Sequence, residues 1–309
     1  MKESENKPDL IVILGPTASG KTRLATQLAS LINGEIISAD SRQVYKNMDI
    51  GTGKDLSEYH LDGKDIPYHL INICEAGEKY NLARFQSDFF EVYQDIRSKN
   101  TVPILCGGSG LYIQSVLSAF DQVQIPVDET LRKNLEGLDT EKLLQKLSVD
   151  QQIQVDTSTR KRIIRGIEMN EYLKNHPDFE ASVQRMPVNY RIYGLNPSVE
   201  VRRKRISERL RFRLEQQNMT GEVESLLANG LSPETLIYYG LEYKLITQFL
   251  TGELDYETMV SRLETEIHRF AKRQMTFFRS MEKKGFIIKW FDENLSETEI
   301  LNYISGSFR

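Results

Sequence analysis

A chain of 309 residues, 39% hydrophobic and 27% charged, is long enough to bury a sizeable core and has the make-up of an ordinary globular protein. Its formal net charge of −4 argues against indiscriminate nucleic-acid binding. The opening residues Met1 to Pro8 lack the apolar core of a signal peptide and no apolar stretch approaches membrane-spanning length, so cytoplasmic work with no membrane partner is expected.

The first apolar run, Leu10 to Leu14, reads as a buried strand. It leads directly into Gly15, Pro16, Thr17, Ala18, Ser19, Gly20, Lys21 and Thr22, a phosphate-binding loop, with Leu24, Ala25, Leu28 and Leu31 at helical spacing behind it. Glycines there let backbone amides turn onto phosphate oxygens. Lys21 reaches for the terminal phosphates, Thr22 can place a hydroxyl on Mg²⁺, and the helix that follows aims its positive end at the same anion. Further strands are expected over Glu35 to Ala39, His69 to Ile73 and Val102 to Cys106. Cys74 and Cys106 lie within apolar segments and should be buried free thiols, holding neither a disulfide nor zinc.

Two of these strands end in unusual turns: Asp40-Ser41-Arg42-Gln43 and Gly107-Gly108-Ser109-Gly110. In open parallel sheets ligands sit beyond the carboxyl ends of the strands, so these turns and the phosphate loop should share one edge. Three roles are open to Asp40: holding a water on Mg²⁺, accepting a proton from an attacking nucleophile, or capping a helix that follows the strand. Ser109 can bond a phosphate oxygen or a substrate base, or cap the next helix. From about Ile125 to Pro187 the sequence turns polar and helical; Tyr190 to Leu195 then resumes the strand pattern, and Phe286 to Phe291 is the last strand expected. The reading is an α/β fold: a three-layer phosphate-loop core with a parallel sheet over 1–124 and 188–309, plus a small all-helical insertion over 125–187.

Three basic segments stand out against the acidic whole. In the first, Lys161, Arg162 and Arg165 follow Arg160. Within Arg202 to Leu214, Ile206, Leu210 and Leu214 mark a buried stripe; Arg205, Arg209 and Arg213 each precede one of them, which sets the arginines at the edge of the core. One of the three is expected to cover a pyrophosphate with paired hydrogen bonds, the others to pack by their stems. In Thr265 to Lys284, Lys272, Thr276, Arg279 and Lys283 share one face, with Ile267, Phe270, Phe277 and Met281 toward another. Such a basic face can follow a nucleic-acid backbone.

Taken together these segments resemble the tRNA dimethylallyltransferase (tRNA isopentenyltransferase) family of bacterial type. The matching stretches are Gly15 to Thr22, Ala39 to Lys46, Met48 to Thr52, Tyr68 to Ile71, Tyr80 to Phe85, Gly107 to Tyr112 and Ala271 to Arg279, in order over nearly the whole chain. The resemblance implies transfer of a dimethylallyl group from dimethylallyl diphosphate to the exocyclic amine of the adenosine immediately 3′ of the anticodon, in tRNAs reading codons that start with U. It implies Asp40 as general base, Ser109 beside the reacting centre, and Arg209, with Arg205 as the alternative, on the diphosphate held by Gly15 to Thr22. Mg²⁺ is implied at Thr22. The family's tRNA contacts fall on Asp40, Ser41, Arg42 and Gln43; on Lys161, Arg162 and Arg165; on the Tyr238 to Tyr243 stretch; and on Lys272, Arg273, Gln274, Thr276 and Arg279. A monomer acting on the tRNA anticodon arm is expected. The chain departs from many members at Asn72, Leu241 and Phe277, and lacks the cysteine and histidine pairs of a carboxy-terminal zinc finger. The rival readings are a small-molecule or nucleotide kinase, a prenyltransferase using free AMP, ADP or ATP, and an RNA-binding protein whose loop only senses a nucleotide.

Overall fold

Five consecutive aliphatic residues, Leu10–Leu14, form β1, and all five are fully buried. A strand so apolar on both faces belongs in the middle of a covered parallel sheet, and β1 lies between β6 (Val102–Gly107) and β7 (Tyr190–Leu195). The computed structural model describes residues 7–118, 124–149, 155–179 and 189–308. With β2 (Gly34–Ser38), β5 (Tyr68–His69) and β8 (Ile288–Phe291), the sheet runs β5-β2-β6-β1-β7-β8, and every pairing in it is parallel. The short pair β3 (His60–Leu61) and β4 (Lys64–Asp65) forms a separate antiparallel ribbon.

Helices cover both faces, as parallel strands require. Ile11, Ile13, Ile36 and Ile104 pack toward α1 (Lys21–Ile32) and α12 (Glu297–Ser305). Val12, Leu14, Ile37 and Leu105 face the larger core built from α2 (Leu82–Ser98), α3 (Gly110–Leu117) and the later helices α7 (Val199–Glu215), α8 (Met219–Ala228), α9 (Pro233–Tyr238), α10 (Leu241–Leu250) and α11 (Tyr256–Lys283). Cys74 and Cys106 are buried free thiols. Among the described residues no helix is long and apolar enough to cross a membrane.

Several sequence expectations shift: the last strand begins at Ile288, two residues beyond the expected Phe286. The strand expected over His69 to Ile73 stops at His69, because Leu70 (φ 61°) and Asn72 (φ 57°) adopt left-handed backbone that a ladder cannot continue. On α11 the buried stripe is Met259, Leu263, Ile267, Ala271, Gln274, Met275, Phe278 and Met281, so Phe270, 41% exposed, is not core.

The chain separates into two compact units, Met1–Ser118 with Pro187–Arg309, and Ala119–Met186. The second contains α4 (Glu129–Glu136), α5 (Thr140–Val149) and α6 (Arg160–Asn175), packed through Leu135, Leu143, Leu147, Ile163 and Ile167. Buried Glu168 organises its polar interior: it accepts from Arg132 at 2.8 and 2.9 Å, from Arg165 at 3.2 Å and from the Asp128 amide at 3.0 Å. The expected resumption of the core at residue 188 lies outside the described residues.

Candidate active site

Because β1, β2 and β6 are neighbours and parallel, the turns that follow them meet at one edge. There they line a cavity of about 460 Å³, of a size that holds a small ligand, with Lys21, Thr22, Asp40 and Ser109 on its wall. The phosphate loop ends at Gly20, whose left-handed backbone (φ 87°, ψ 13°) turns the chain into α1 at Lys21. No side chain caps this helix, so its first amides have no side-chain acceptor, the condition under which a helix start takes an anion. The Lys21 ammonium lies 3.5 Å from the Pro16 carbonyl. Burial holds its pKa below the usual lysine range, against the pull of Cys106 and Asp40, and Arg209 adds to the depression. An anion in the loop supplies the missing counter-charge.

The two oxygens of Asp40 have different surroundings. Its Oδ1 accepts from the Arg42 amide at 2.8 Å and the Gln43 amide at 3.4 Å, capping the turn. Its Oδ2 has no hydrogen-bond partner among the described residues and is available to the cavity. Ser109 stands at the start of α3 but does not cap it; its Oγ accepts the Ser41 amide at 3.3 Å and so ties the third turn to the second. The neighbouring Cys106 thiol is pushed up to about 12 by burial, which removes it as a nucleophile near neutral pH.

Of Arg205, Arg209 and Arg213 on α7, Arg209 and Arg213 line the cavity shared with Asp40, and Arg209 also lines a neighbouring one of about 450 Å³. Arg205 reaches only the neighbouring one, along the outer side of the phosphate loop. Asp55 divides its oxygens between Arg209 and Arg213, the latter at 3.2 Å, and Arg209 also reaches the Gly53 carbonyl at 3.4 Å. Arg213 is 9% exposed and acts as a brace under the loop.

Several expected RNA contacts have other work. Gln43 donates to the Gly53 carbonyl at 3.1 Å and accepts from Ser38 at 3.1 Å, so its amide braces two loops. Gln274 is 8% exposed; its Oε1 accepts the Thr17 amide at 2.8 Å and its Nε2 donates to the Gly108 carbonyl at 3.0 Å. Both ends of each amide are therefore engaged, and neither points free toward an RNA. Arg165 is likewise turned inward within the helical unit, donating to the Ile125 carbonyl at 2.6 Å and the Pro126 carbonyl at 3.2 Å. Arg162 is exposed and paired with Asp156 and Ser158, and Lys161 is exposed. Lys272, Arg273, Thr276 and Arg279 all stand on the exposed side of α11. Arg42 lies 5.5 Å from the ring of Tyr238, itself 62% exposed.

Sequence reasoning missed the groups that hold the loop after Asp40 in place. Glu222 on α8 accepts the amides of Asp49 and Ile50 at 2.7 Å each, that of Gly51 at 3.0 Å and the Tyr243 hydroxyl at 2.7 Å. Buried Lys54 donates to the Tyr45 carbonyl, to Asp49 at 2.7 Å and to Asn72 at 2.6 Å. Its own burial lowers its pKa, opposed by Asp49.

Sequence models of two related families match the chain: one described as IPP transferase over residues 43–281, and one described as isopentenyl transferase over 8–71. The chain is 50% identical to tRNA dimethylallyltransferase 1 of Parabacteroides distasonis, over 94% of each chain. It belongs to the tRNA dimethylallyltransferase family. It is also 52% identical to tRNA dimethylallyltransferase 1 of Azobacteroides pseudotrichonymphae, over 92% of this chain and 93% of the other. The crystal structure of a tRNA isopentenylpyrophosphate transferase from Bacillus halodurans superposes with a TM-score of 0.71 at 30% identity, over 98% of this chain and 97% of that one. Within this tRNA dimethylallyltransferase framework the Tyr238 to Tyr243 stretch, expected as an RNA contact, brings a second acid to the cavity. Glu242, at the start of α10, lines the same cavity as Asp40, and its burial raises its pKa against the pull of Arg213 and Arg209.

Proposed function

We propose that the chain transfers the dimethylallyl group of dimethylallyl diphosphate to the exocyclic amine of the adenosine immediately 3′ of the anticodon, in tRNAs reading codons that start with U. In this reading it acts as a monomer in the cytoplasm and releases diphosphate. One juxtaposition carries the reading: a carboxylate with an open oxygen, Asp40, lines the same cavity as Lys21 and Thr22 of a phosphate loop. A phosphate grip alone serves fuel, switch or leaving group equally well. An acid placed to take a proton from an attacker argues for group transfer over a switch, and the likeness to tRNA dimethylallyltransferases favours the prenyl group over the phosphoryl group as what is transferred.

In the transfer, the adenine amine attacks C1 of the dimethylallyl group as the C1–oxygen bond breaks, its electrons passing to the diphosphate. The amine's proton goes to Asp40 Oδ2, while the amides on Oδ1 fix the carboxylate's orientation. Charge developing on the diphosphate meets Lys21, Arg209 and the first amides of α1. Arg209 must then exchange Asp55 for phosphate oxygens. Ser109, joined to the Ser41 amide, holds the base and amine side of the cavity together. A divalent cation, Mg²⁺ in this reading, fits the oxygen donors present: the Thr22 hydroxyl would hold it together with the diphosphate itself, and it would add positive charge on the leaving group. Among the described residues there is no cluster of three or more acids, histidines or cysteines to cage a metal without substrate.

The target adenosine has to leave its stack to enter such a cavity. Lys272, Arg273, Thr276 and Arg279 on α11, Ser41 and Arg42 at the mouth, and Lys161 and Arg162 on α6 supply donors for the RNA backbone. Radiolabelled dimethylallyl diphosphate offered with bulk tRNA, and separately with AMP, tests the proposal. Label in tRNA is expected; labelled nucleotide beside unlabelled tRNA, or phosphate moving from ATP while dimethylallyl diphosphate is ignored, would overturn it.

A further inference from the structure

Gln274 makes the one side-chain bridge described here between the turn after β1 and the turn after β6. The bridge is chemically directional. Its Oε1 meets a donor, the Thr17 amide at 2.8 Å, and its Nε2 meets an acceptor, the Gly108 carbonyl at 3.0 Å, so reversing the amide would lose both bonds. The backbone is shaped to admit it: a Cβ added at Gly108 would stand 2.3 Å from Nε2, but no closer than 3.4 Å to any other nearby atom. Gly108 is followed by Ser109, whose hydroxyl accepts the Ser41 amide next to Asp40. A continuous path thus runs from the phosphate loop through Gln274 and Ser109 to the acid.

We propose that Gln274 is a positioning residue that sets the separation between the phosphate loop and the Gly107–Gly110 turn, and hence between the departing diphosphate and Asp40. This rests on the prenyl-transfer reading above. The side chain is 8% exposed and both of its polar ends are engaged inside the protein, so it acts on the reaction by geometry and not by gripping RNA. Its helix neighbours Lys272, Arg273 and Thr276 face outward, leaving the RNA-facing surface of α11 intact when Gln274 is changed.

The test uses the full chain, with transfer to tRNA and tRNA affinity measured separately. Gln274→Ala is expected to lower kcat by about 10- to 100-fold and leave the tRNA Kd within about twofold, since misplacement by an ångström costs on that scale. Gln274→Glu gives a readout that general loosening would not move. Its ionised carboxylate repels the Gly108 carbonyl, whereas its protonated form again offers one acceptor and one donor. The ratio of its activity to wild type should therefore climb as pH falls. Gly108→Ala should be damaging in the wild-type background and nearly silent beside Gln274→Ala, where the clashing group is gone. A pH-independent ratio for Gln274→Glu, or the same Gly108→Ala cost in both backgrounds, would overturn the proposal. A wild-type chain that fails to prenylate tRNA would instead remove the functional reading on which it rests.

Discussion

Replacing Glu222 with alanine takes one acceptor away from four donors. Two of these, the Gly51 amide and the hydroxyl of Tyr243, belong to buried residues, and Tyr243 is 1% exposed. Stranding a buried donor costs about 1–3 kcal/mol each. The Asp49 and Ile50 amides belong to half-buried residues and regain water in part, so each loses nearer the ordinary net value of about 0.5–1.5 kcal/mol. The sum is about 3–9 kcal/mol, a large share of the roughly 5–15 kcal/mol that holds a domain folded. At about 2–4 °C per kcal/mol for a unit of this size, thermal unfolding should drop by at least about 6 °C and by as much as about 36 °C. Glu222→Gln keeps one acceptor oxygen but turns a donor toward donors, and should fall about midway. Protein still folded below the transition should show a raised KM for dimethylallyl diphosphate, because the loop that Glu222 holds also carries Gly53 and Asp55, the partners of Gln43 and Arg209. Circular dichroism melts with steady-state transfer assays read both. A loss under about 1 kcal/mol for Glu222→Ala would refute the claim that these bonds form one anchor.

Asp40→Ala should cut transfer by a factor of order 10² to 10⁴ while tRNA binding stays largely intact; unchanged turnover in a single-turnover assay would remove Asp40 as the base. Arg209→Ala should lower kcat/KM more than Arg205→Ala, which reaches only the neighbouring cavity, and equal losses would put Arg205 on the diphosphate as well. Glu242 gives a pH prediction. Burial raises its folded pKa above the unfolded value, so its contribution to stability is full below the unfolded carboxylate range and is lost as pH rises through the folded value. Glu242→Gln should therefore leave Tm unchanged at the acid end and raise it near neutrality; a Tm difference constant across pH would contradict that environment.

The parts of the fold that could be read in advance are those where burial dictates composition. Leu10–Leu14 and Tyr190–Leu195 were bounded to the residue, β1 because both its faces are covered and its apolar run has no interruption. The run at His69 misled because Leu70 and Asn72 look strand-compatible, whereas their left-handed backbone is imposed from outside, Asn72 being held by Lys54. In the site, the phosphate loop, the Asp40 turn and the glycine turn were legible since each follows a readable strand end. Glu222 and the Gln274 bridge were not, because the backbone amides that Glu222 holds lie 171 to 173 residues away, the partners of Gln274 lie 166 to 257 away, and no local period marks either. Gln274 entered the expected RNA contacts through the family's contact segment and not through helical spacing, and such a segment does not show that its amide is engaged by two distant turns.

Asp55 gives the site a threshold. Its carboxylate pairs with Arg209, so any anion entering the loop competes with a tethered rival and not with water alone. A monovalent anion such as chloride offers little to displace a carboxylate fixed in place on a neighbouring loop, whereas a diphosphate brings several oxygens and a larger charge to the exchange. The pairing therefore favours a ligand of high charge over a small anion at Arg209, whatever group that ligand carries.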